Sequence, residues 1–287
     1  MTPRKILCPI DFSSGSHHAF RVAARLATEL GTTLEIVHAW HLPPLATGGE
    51  YPLPAEAIQG MVDDAERGLT DTLAEAKKLG VERVSSQLVS GPPWERIVEV
   101  ASPADLIVMG THGRTGVSRF LLGSVAEKVV RHAPCSVLVA RPHGEPVPFR
   151  HLLVPVDFSD CSRHALDQAS DIATRTGARV TLLHVLELPA GYRGQPPADY
   201  LQDIDQRATT QLDEWAELVE QKTRNQVERI VRTGVPAAQA LALAAEDRSI
   251  DLVVVGSRGR TGMKRLVLGS VAEKLVRHSG LPVLVAR

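Results

Sequence analysis

The sequence carries the same ordered series of motifs twice, and this duplication constrains the fold more than any other feature. Asp157 follows Asp11 by 146 positions within a matching P-x-D-F-S motif, and most other motifs repeat at the same interval. The first copy is three residues shorter between Gly91 and the glycine-rich loop that comes after it. Ordinary domains have about 100–150 residues, so each copy is long enough to fold alone. We therefore expect two tandem domains, at residues 1–143 and 144–287.

Strand-like and helix-like segments alternate within each copy. Short apolar runs are typical of strands buried on both faces, and apolar residues at helical spacing mark the segments between them. The predicted strands are 5–10, 34–39, 83–89, 105–109, 136–140, 151–156, 179–185, 226–232, 251–255 and 282–286. The predicted helices include 55–79, 123–132, 161–176, 199–222, 236–247 and 270–278.

This alternation favours a parallel sheet with right-handed crossovers and helices on both faces. The expected fold class is therefore α/β, with two tandem copies of a doubly wound five-stranded parallel sheet in the order 3-2-1-4-5. Such sheets bind ligands beyond the carboxyl ends of the strands, where the strand order reverses. In that order Asp11 and Gly110 face one crevice, and Asp157 and Gly256 face another.

A glycine-rich loop follows the fourth strand of each copy and reads G-x2-G-x9-G-S both times. Glycine is needed where the backbone takes a positive φ or lies directly against a ligand. A Gly-Ser pair at a helix start offers free N–H groups and the positive end of the helix dipole, which suit a phosphate. These features predict two polyphosphate-binding loops, although glycines here could also form plain strand-to-helix turns. The basic side chains of the loops include His112, Arg114, Arg258 and Arg260.

Composition argues against several classes of protein. The formal net charge of −1 at pH 7 gives no overall field that would attract nucleic acid or an anionic membrane. No stretch approaches the roughly 18 apolar residues of a membrane span, and the apolar run near the start is too short for a signal peptide. The three cysteines are far apart, without a C-x-x-C pair, which indicates a reducing compartment and neither a zinc site nor a disulfide framework. We expect a soluble cytoplasmic protein without a nucleic-acid or membrane partner.

The motifs described above resemble the universal stress protein family in its tandem two-domain form. The resemblance covers nearly the whole chain. It rests on the P-x-D-F-S motif, the full spacing of the glycine loop and the G-S-V-A-E-K helix start in each copy. Mg²⁺ is expected as a companion ion that bridges phosphate oxygens, and the resemblance implies that each domain binds ATP. It also implies edge-to-edge pairing of the last strands, 136–140 against 282–286 within one chain, and a homodimer of chains.

The resemblance assigns nucleotide contacts to matching positions of the two copies. Asp11 and Asp157 would contact the base or the ribose, and the backbone of Ala39 and Val185 would meet the adenine edge. The glycines and serines of the loops would hold the ribose and phosphates. Residues at the strand ends and basic residues of the loops complete the predicted set. The full set of predicted site residues is Pro9, Ile10, Asp11, Ala39, Met109, Gly110, His112, Gly113, Arg114, Gly123, Ser124, Val125, Pro155, Val156, Asp157, Val185, Val255, Gly256, Arg258, Gly259, Arg260, Gly269, Ser270 and Val271.

The two copies differ at two of the implied contacts. Arg258 stands where the first copy has His112, and Val255 stands where the first copy has Met109. The additional charge in the second loop favours a polyphosphate, and the narrower side chain changes the packing beside the base. The two sites therefore need not have equal affinity.

Simpler structural roles could account for some of the same residues. Asp11 and Asp157 could serve as N-caps of the helices that follow them. His38 and His184, on buried strands, fit hydrogen-bonded core or pocket-wall residues better than ligands. Cys8, beside the expected pocket, fits the usual behaviour of buried cysteine as a small hydrophobic residue.

The loops occur without a recognisable catalytic motif, since the sequence has no G-x4-G-K-[ST], H-E-x-x-H or G-x-S-x-G pattern. We therefore assign no catalytic residue and no metal ligand. The favoured interpretation is an ATP-binding stress-response or regulatory protein, not an enzyme, with at most slow hydrolysis. Two alternatives stay open: a nucleotide-free dimeric scaffold, and an ATP-dependent enzyme that activates a substrate.

Overall fold

The computed structural model describes residues 3–42, 53–102, 104–111, 122–141, 149–187, 198–259 and 268–287. Apart from the first two residues, the chain divides into two compact units, Pro3–Val147 and Pro148–Arg287. The predicted boundary between residues 143 and 144 falls outside the described residues and stays a prediction.

The two domains contain the same succession of elements. The first domain has β1 (Lys5–Pro9), α1 (Ser14–Leu30), β2 (Thr33–Trp40), α2 (Ala55–Lys78), β3 (Val84–Ser90), α3 (Pro93–Val100), β4 (Leu106–Gly110), α4 (Ser124–His132) and β5 (Ser136–Ala140). The second has β6 (His151–Val156), α5 (Asp160–Thr176), β7 (Arg179–Leu186), α6 (Ala198–Thr223), β8 (Val227–Thr233), α7 (Pro236–Glu246), β9 (Leu252–Gly256), α8 (Ser270–His278) and β10 (Val283–Ala286). Every segment whose two ends were predicted from the sequence is present, with ends shifted by a single residue at most.

All strand pairs within each domain are parallel, and their order confirms the predicted topology. β1 lies between β2 and β4, β3 pairs with β2, and β5 pairs with β4. The second domain repeats this order as β8, β7, β6, β9 and β10. α5 packs with α6, and α7 packs with α8. Right-handed crossovers place these two helix pairs on opposite faces of the sheet, because the strand order reverses between them.

Burial and capping explain why the segments fold where the sequence predicted. The apolar strands β4 and β9 are buried almost throughout. In α1 the buried residues recur at helical spacing, as at Ala19, Ala23 and Leu26, which turns one face of the helix toward the sheet. The helix begins after Ser13, whose side chain accepts a hydrogen bond from the backbone N–H of Ser16.

The three-residue difference between the copies falls in the helix that crosses back to the fourth strand. α3 has 8 residues, whereas α7 has 11. The first glycine of each glycine-rich loop keeps its place in the sheet, since Gly110 and Gly256 both end their strands. The additional helical turn therefore leaves the strand ends of the two domains equivalent.

Candidate functional site

Each domain has a cavity at the carboxyl ends of its two central strands. In the first domain Asp11 follows β1 and Gly110 ends β4, and these neighbouring strands bring both residues to one cavity of about 240 Å³. The predicted site residues that line it are Pro9, Ile10, Asp11, Ala39, Met109, Gly110, Gly123, Ser124 and Val125. The remaining predictions for this domain, at His112, Gly113 and Arg114, lie outside the described residues.

The corresponding cavity of the second domain has a volume of about 580 Å³. The predicted site residues that line it are Pro155, Val156, Asp157, Val185, Val255, Gly256, Arg258, Gly259, Gly269, Ser270 and Val271. Arg260 lies outside the described residues. In each domain, residues from distant parts of the sequence therefore surround one cavity, while their contacts with a nucleotide stay a prediction.

A hydrogen-bonded turn fixes the aspartate that follows the first strand of each domain. The Ser13 backbone N–H and hydroxyl donate to Asp11 Oδ1 at 3.1 and 2.6 Å. Ser159 makes the same two bonds to Asp157 Oδ1, at 3.1 and 2.6 Å. Ser13 and Ser159 are the N-caps of the following helices. The aspartates are therefore not the caps; each holds the capping serine and also lines the cavity.

The residue after each aspartate has an unusual backbone conformation that the sequence did not reveal. Phe12 and Phe158 both have φ of 62°, in a left-handed region that costs a bulky residue about 1–3 kcal/mol. Each ring packs against the histidine of the second strand, with centroids 4.6 Å apart for Phe12 and His38 and 4.5 Å for Phe158 and His184. The repeat of phenylalanine in both motifs is the one sequence signal of this shared turn.

His38 and His184 have structural partners beside the cavities. His38 Nδ1 donates to the carbonyl oxygen of Ile10 at 2.7 Å, and His184 Nδ1 donates to that of Val156 at 2.8 Å. A carbonyl oxygen only accepts, so these contacts place a proton on Nδ1 in both rings. The prediction that they are hydrogen-bonded wall residues is confirmed.

Cys8 lies in the core beneath the first cavity and does not line it. Its side chain is fully buried, and this burial raises the pKa of the thiol to about 12. The sulfur is therefore protonated at neutral pH, whereas a cysteine nucleophile acts as a thiolate. The interpretation of Cys8 as a small hydrophobic residue is confirmed.

The first glycine of each loop lies directly against protein backbone, which is a reason for glycine that the sequence did not reveal. A Cβ added to Gly256 would lie 2.7 Å from the carbonyl carbon and oxygen of Cys161, in the first turn of α5. A Cβ on Gly110 would lie 2.9 Å from the carbonyl oxygen of Gly15. Because backbone atoms cannot move aside as a side chain can, glycine is needed here to bring the strand end against the helix start.

The helices that follow the loops present backbone N–H groups to the cavities. Gly123 and Gly269 are the N-caps of α4 and α8, and among the described residues no side chain caps either helix by hydrogen bonding. The first N–H groups of a helix have no partner within it and carry the positive end of its dipole. Ser124 and Ser270, the first residues of these helices, both line a cavity. This arrangement suits an anionic ligand.

The structure adds one cavity wall that the sequence did not predict. Residues of α6, among them Tyr200, Arg207 and Gln211, line the second cavity. Sequence patterns describe α6 as an amphipathic helix with a solvated charged face, and they do not show which part of that face lies beside a strand end. No sequence signal would have identified this wall.

The described ranges contain no group of three or more His, Cys, Asp or Glu side chains placed to hold a metal ion. Within the same ranges, no helix is both long enough and apolar enough to cross a membrane.

Comparison with known proteins gives a consistent assignment along the chain. The model of the universal stress protein family matches residues 2–141 and again residues 148–287. A universal stress protein of Mycobacterium tuberculosis is 31% identical over 301 residues, covering 99% of this chain and 98% of that protein. A second universal stress protein of the same organism is 30% identical over 292 residues, covering 98% of this chain and 96% of the relative.

A solved structure has a similar fold along nearly the whole chain. The crystal structure of a universal stress protein from Archaeoglobus fulgidus matches with a TM-score of 0.76 at 23% identity, covering 99% of this chain and 98% of that one. This similarity concerns the fold. The two matches of the family model and the two relatives show that the chain belongs to the universal stress protein family.

Proposed function

We propose that each domain of this chain binds an adenine nucleotide of the ATP type, and that the protein acts in stress response or regulation through nucleotide occupancy. The observation that carries the proposal is the cavity in each domain. There an aspartate fixed in a serine turn lies opposite a helix start that has no side-chain cap among the described residues. A nucleotide carries a polar sugar and a polyanion. The aspartate can accept hydrogen bonds from the sugar, and the helix start suits the polyanion.

The residues present fit such a ligand. Asp11 and Asp157 supply carboxylates for ribose or base donors, and the N–H groups at Ser124 and Ser270 suit phosphate oxygens. Gly259 supports the fit, because a Cβ there would lie 2.7 Å from Asp157 Oδ2. The loop backbone can therefore approach the carboxylate, and a larger residue would fill that space.

The expected Mg²⁺ ion would have few protein ligands. Mg²⁺ is usually held by one or two carboxylates together with substrate phosphates and water. We propose that it enters with the nucleotide and is held mainly by phosphate oxygens. ATP itself would supply the phosphate oxygens, and this chain would supply the surrounding donors.

We propose a binding protein rather than an enzyme. The Cys8 thiol is buried and protonated, and His38 and His184 donate to backbone carbonyls. They are the candidate nucleophile and bases that the sequence offered among the described residues, and burial of the thiol and hydrogen bonding of the imidazoles make them poor candidates for catalysis. Hydrolysis is accordingly proposed to be slow at most.

The assembly and location of the protein also form part of the proposal. We propose that the domain boundary lies between residues 143 and 144 and that the last strands pair within the chain. We further propose that intact chains form homodimers in the cytoplasm. Sedimentation velocity would test the homodimer, since a single species with the mass of one chain would contradict it.

Calorimetric titration of the full chain with Mg-ATP tests the proposed function. We expect binding to the unaltered chain and its loss in the second domain of a Gly259→Ala variant, because the new Cβ would crowd Asp157 Oδ2. Gly280→Ala is the matched control, since a Cβ there would meet nothing within 4 Å. No binding to the unaltered chain, or unchanged binding to Gly259→Ala, would contradict the proposal.

A further inference from the structure

The two cavities differ because the rings of Phe12 and Phe158 have different neighbours. In the first domain, a Cβ on Gly68 would lie 2.6 Å from Cε1 of Phe12, so the ring packs directly on the backbone of α2. In the second domain, the ring of Phe158 meets Trp215 edge-on, with centroids 5.3 Å apart, and it lines the cavity. The described residues that line the first cavity do not include Phe12.

Gln211 occupies the helix position that corresponds to Gly68. Both residues directly precede a buried leucine, Leu69 at 4% exposure and Leu212 at 1%. A glutamine side chain at this place excludes the close contact between ring and helix that glycine permits. Gln211 instead lines the second cavity.

The consequence is a helical wall that, among the described residues, lines the second cavity and not the first. α6 contributes Tyr200, Ile204, Arg207, Ala208 and Gln211 to the second cavity, whereas no described residue of α2 lines the first. Cavities for small molecules usually have volumes of about 300–1,000 Å³. The second cavity, at about 580 Å³, lies within that range, and the first, at about 240 Å³, lies below it.

The helical wall of the second cavity carries a positive charge that has no counterpart at the matching position of α2. Arg207 directly precedes the buried Ala208, and Asp64 directly precedes Ala65, the corresponding buried residue of α2. Arg207 is held by Asp203 at 2.9 Å and lines the cavity. A guanidinium that lines a cavity favours a polyanionic ligand, whereas Asp64 pairs with Arg67 and does not line the first cavity.

We propose that the second domain holds the high-affinity polyphosphate site and fills first, and that Gln211 and Arg207 on α6 are the residues that determine this difference. The inference rests on the proposed function, because it concerns how strongly the same nucleotide binds at the two sites. The helical wall formed by α6 is proposed to cause the difference in nucleotide affinity between the two sites.

The tryptophans of the chain allow each site to be observed separately. Of the three tryptophans, Trp215 contacts Phe158 in the second domain. Trp40 and Trp94 adjoin Ala39 and Pro93, which line the first cavity. A full chain carrying Trp40→Phe and Trp94→Phe reports on the second site, and a Trp215→Phe chain reports on the first. Both are titrated with Mg-ATP and, separately, with adenosine.

We expect the Trp215 signal to saturate at a lower Mg-ATP concentration than the signal of the first domain. Gln211→Gly should weaken Mg-ATP binding at the second site several-fold, because the helix can then close onto the ring. Glu217→Gly is the control for the loss of helix stability, since Glu217 is exposed on the same helix away from the cavity lining. Unchanged binding in Gln211→Gly, or an equal loss in Glu217→Gly, would overturn the assignment to Gln211.

Arg207→Asp gives a second test that does not depend on packing, because Arg207 is an exposed residue. We expect Mg-ATP affinity at the second site to fall roughly two- to fivefold, with little change for adenosine, which carries no phosphate. An equal loss for both ligands would remove the proposed role of Arg207. Equal Mg-ATP affinity at the two sites of the otherwise unaltered chain would overturn the inference and leave the proposed function standing. Absence of binding at both sites would contradict the proposed function itself.

Discussion

At the scale of single residues, the site depends on a turn in which a phenylalanine has a left-handed backbone. Phe12 and Phe158 follow the aspartates with φ of 62°, and both aspartates hold the serine that caps the next helix. The sequence predicted the positions of the aspartates through the duplicated motif. It did not predict the left-handed phenylalanines, because bulky residues rarely adopt that conformation and the repeated phenylalanine shows only that the two turns match.

The glycine that ends the fourth strand gives a prediction at this scale. Gly256→Ala would place a Cβ 2.7 Å from the carbonyl group of Cys161 and 2.9 Å from the backbone nitrogen of Ser162. Since these are backbone atoms, we expect the free energy of unfolding to fall by about 1–3 kcal/mol, as in other overpacked interiors. Urea denaturation followed by circular dichroism measures the change. The control, Gly280→Ala, should change it by less than about 0.5 kcal/mol, and equal effects would contradict the account.

At the scale of helices and strands, most of the architecture could be predicted because its signals are local. Apolar runs marked the buried strands, and Ser13 and Ser159 marked the starts of α1 and α5. The role of α6 as a cavity wall could not be predicted in the same way. It depends on contacts with rings that are distant in the sequence, Gly68 with Phe12 and Trp215 with Phe158, and helical periodicity carries no information about them.

The junction between α6 and β8 should make the stability of the second domain depend on pH. Hydrogen bonds from the Arg229 guanidinium to Glu220, at 3.0 and 3.1 Å, together with one from the backbone N–H of Val227 at 2.9 Å, lower the pKa of Glu220. A carboxyl group with a lowered folded pKa stabilises the fold above its ordinary pKa. That contribution is lost as the pH falls through the lowered value.

Glu220→Gln should therefore reduce the free energy of unfolding at pH 7 by up to about 1 kcal/mol. The difference from the unaltered chain should shrink below the ordinary glutamate pKa of about 4.3 and disappear below the lowered pKa. Denaturation curves at several pH values measure this, with the exposed Glu217→Gln on the same helix as control. A difference that stays constant down to low pH would show that the carboxylate charge is not responsible.

At the scale of the whole molecule, one duplicated fold carries two cavities with unequal walls. The duplication was readable from the interval of 146 positions, and the parallel strand order of both domains followed from general rules of α/β folds. The difference in cavity volume, about 240 Å³ against 580 Å³, was not readable. It arises from the packing of α2 and α6 on matching rings, which the loop motifs do not encode.

The central claim, that the chain is a nucleotide-binding protein, is tested most directly by its own content after purification. The freshly purified chain is denatured, and the released small molecules are identified and counted by liquid chromatography and mass spectrometry. We expect roughly one adenine nucleotide or more per chain, and we expect any conversion of ATP to ADP on incubation to be slow. Release of no adenine nucleotide, followed by no heat on titration with Mg-ATP, would contradict the central claim.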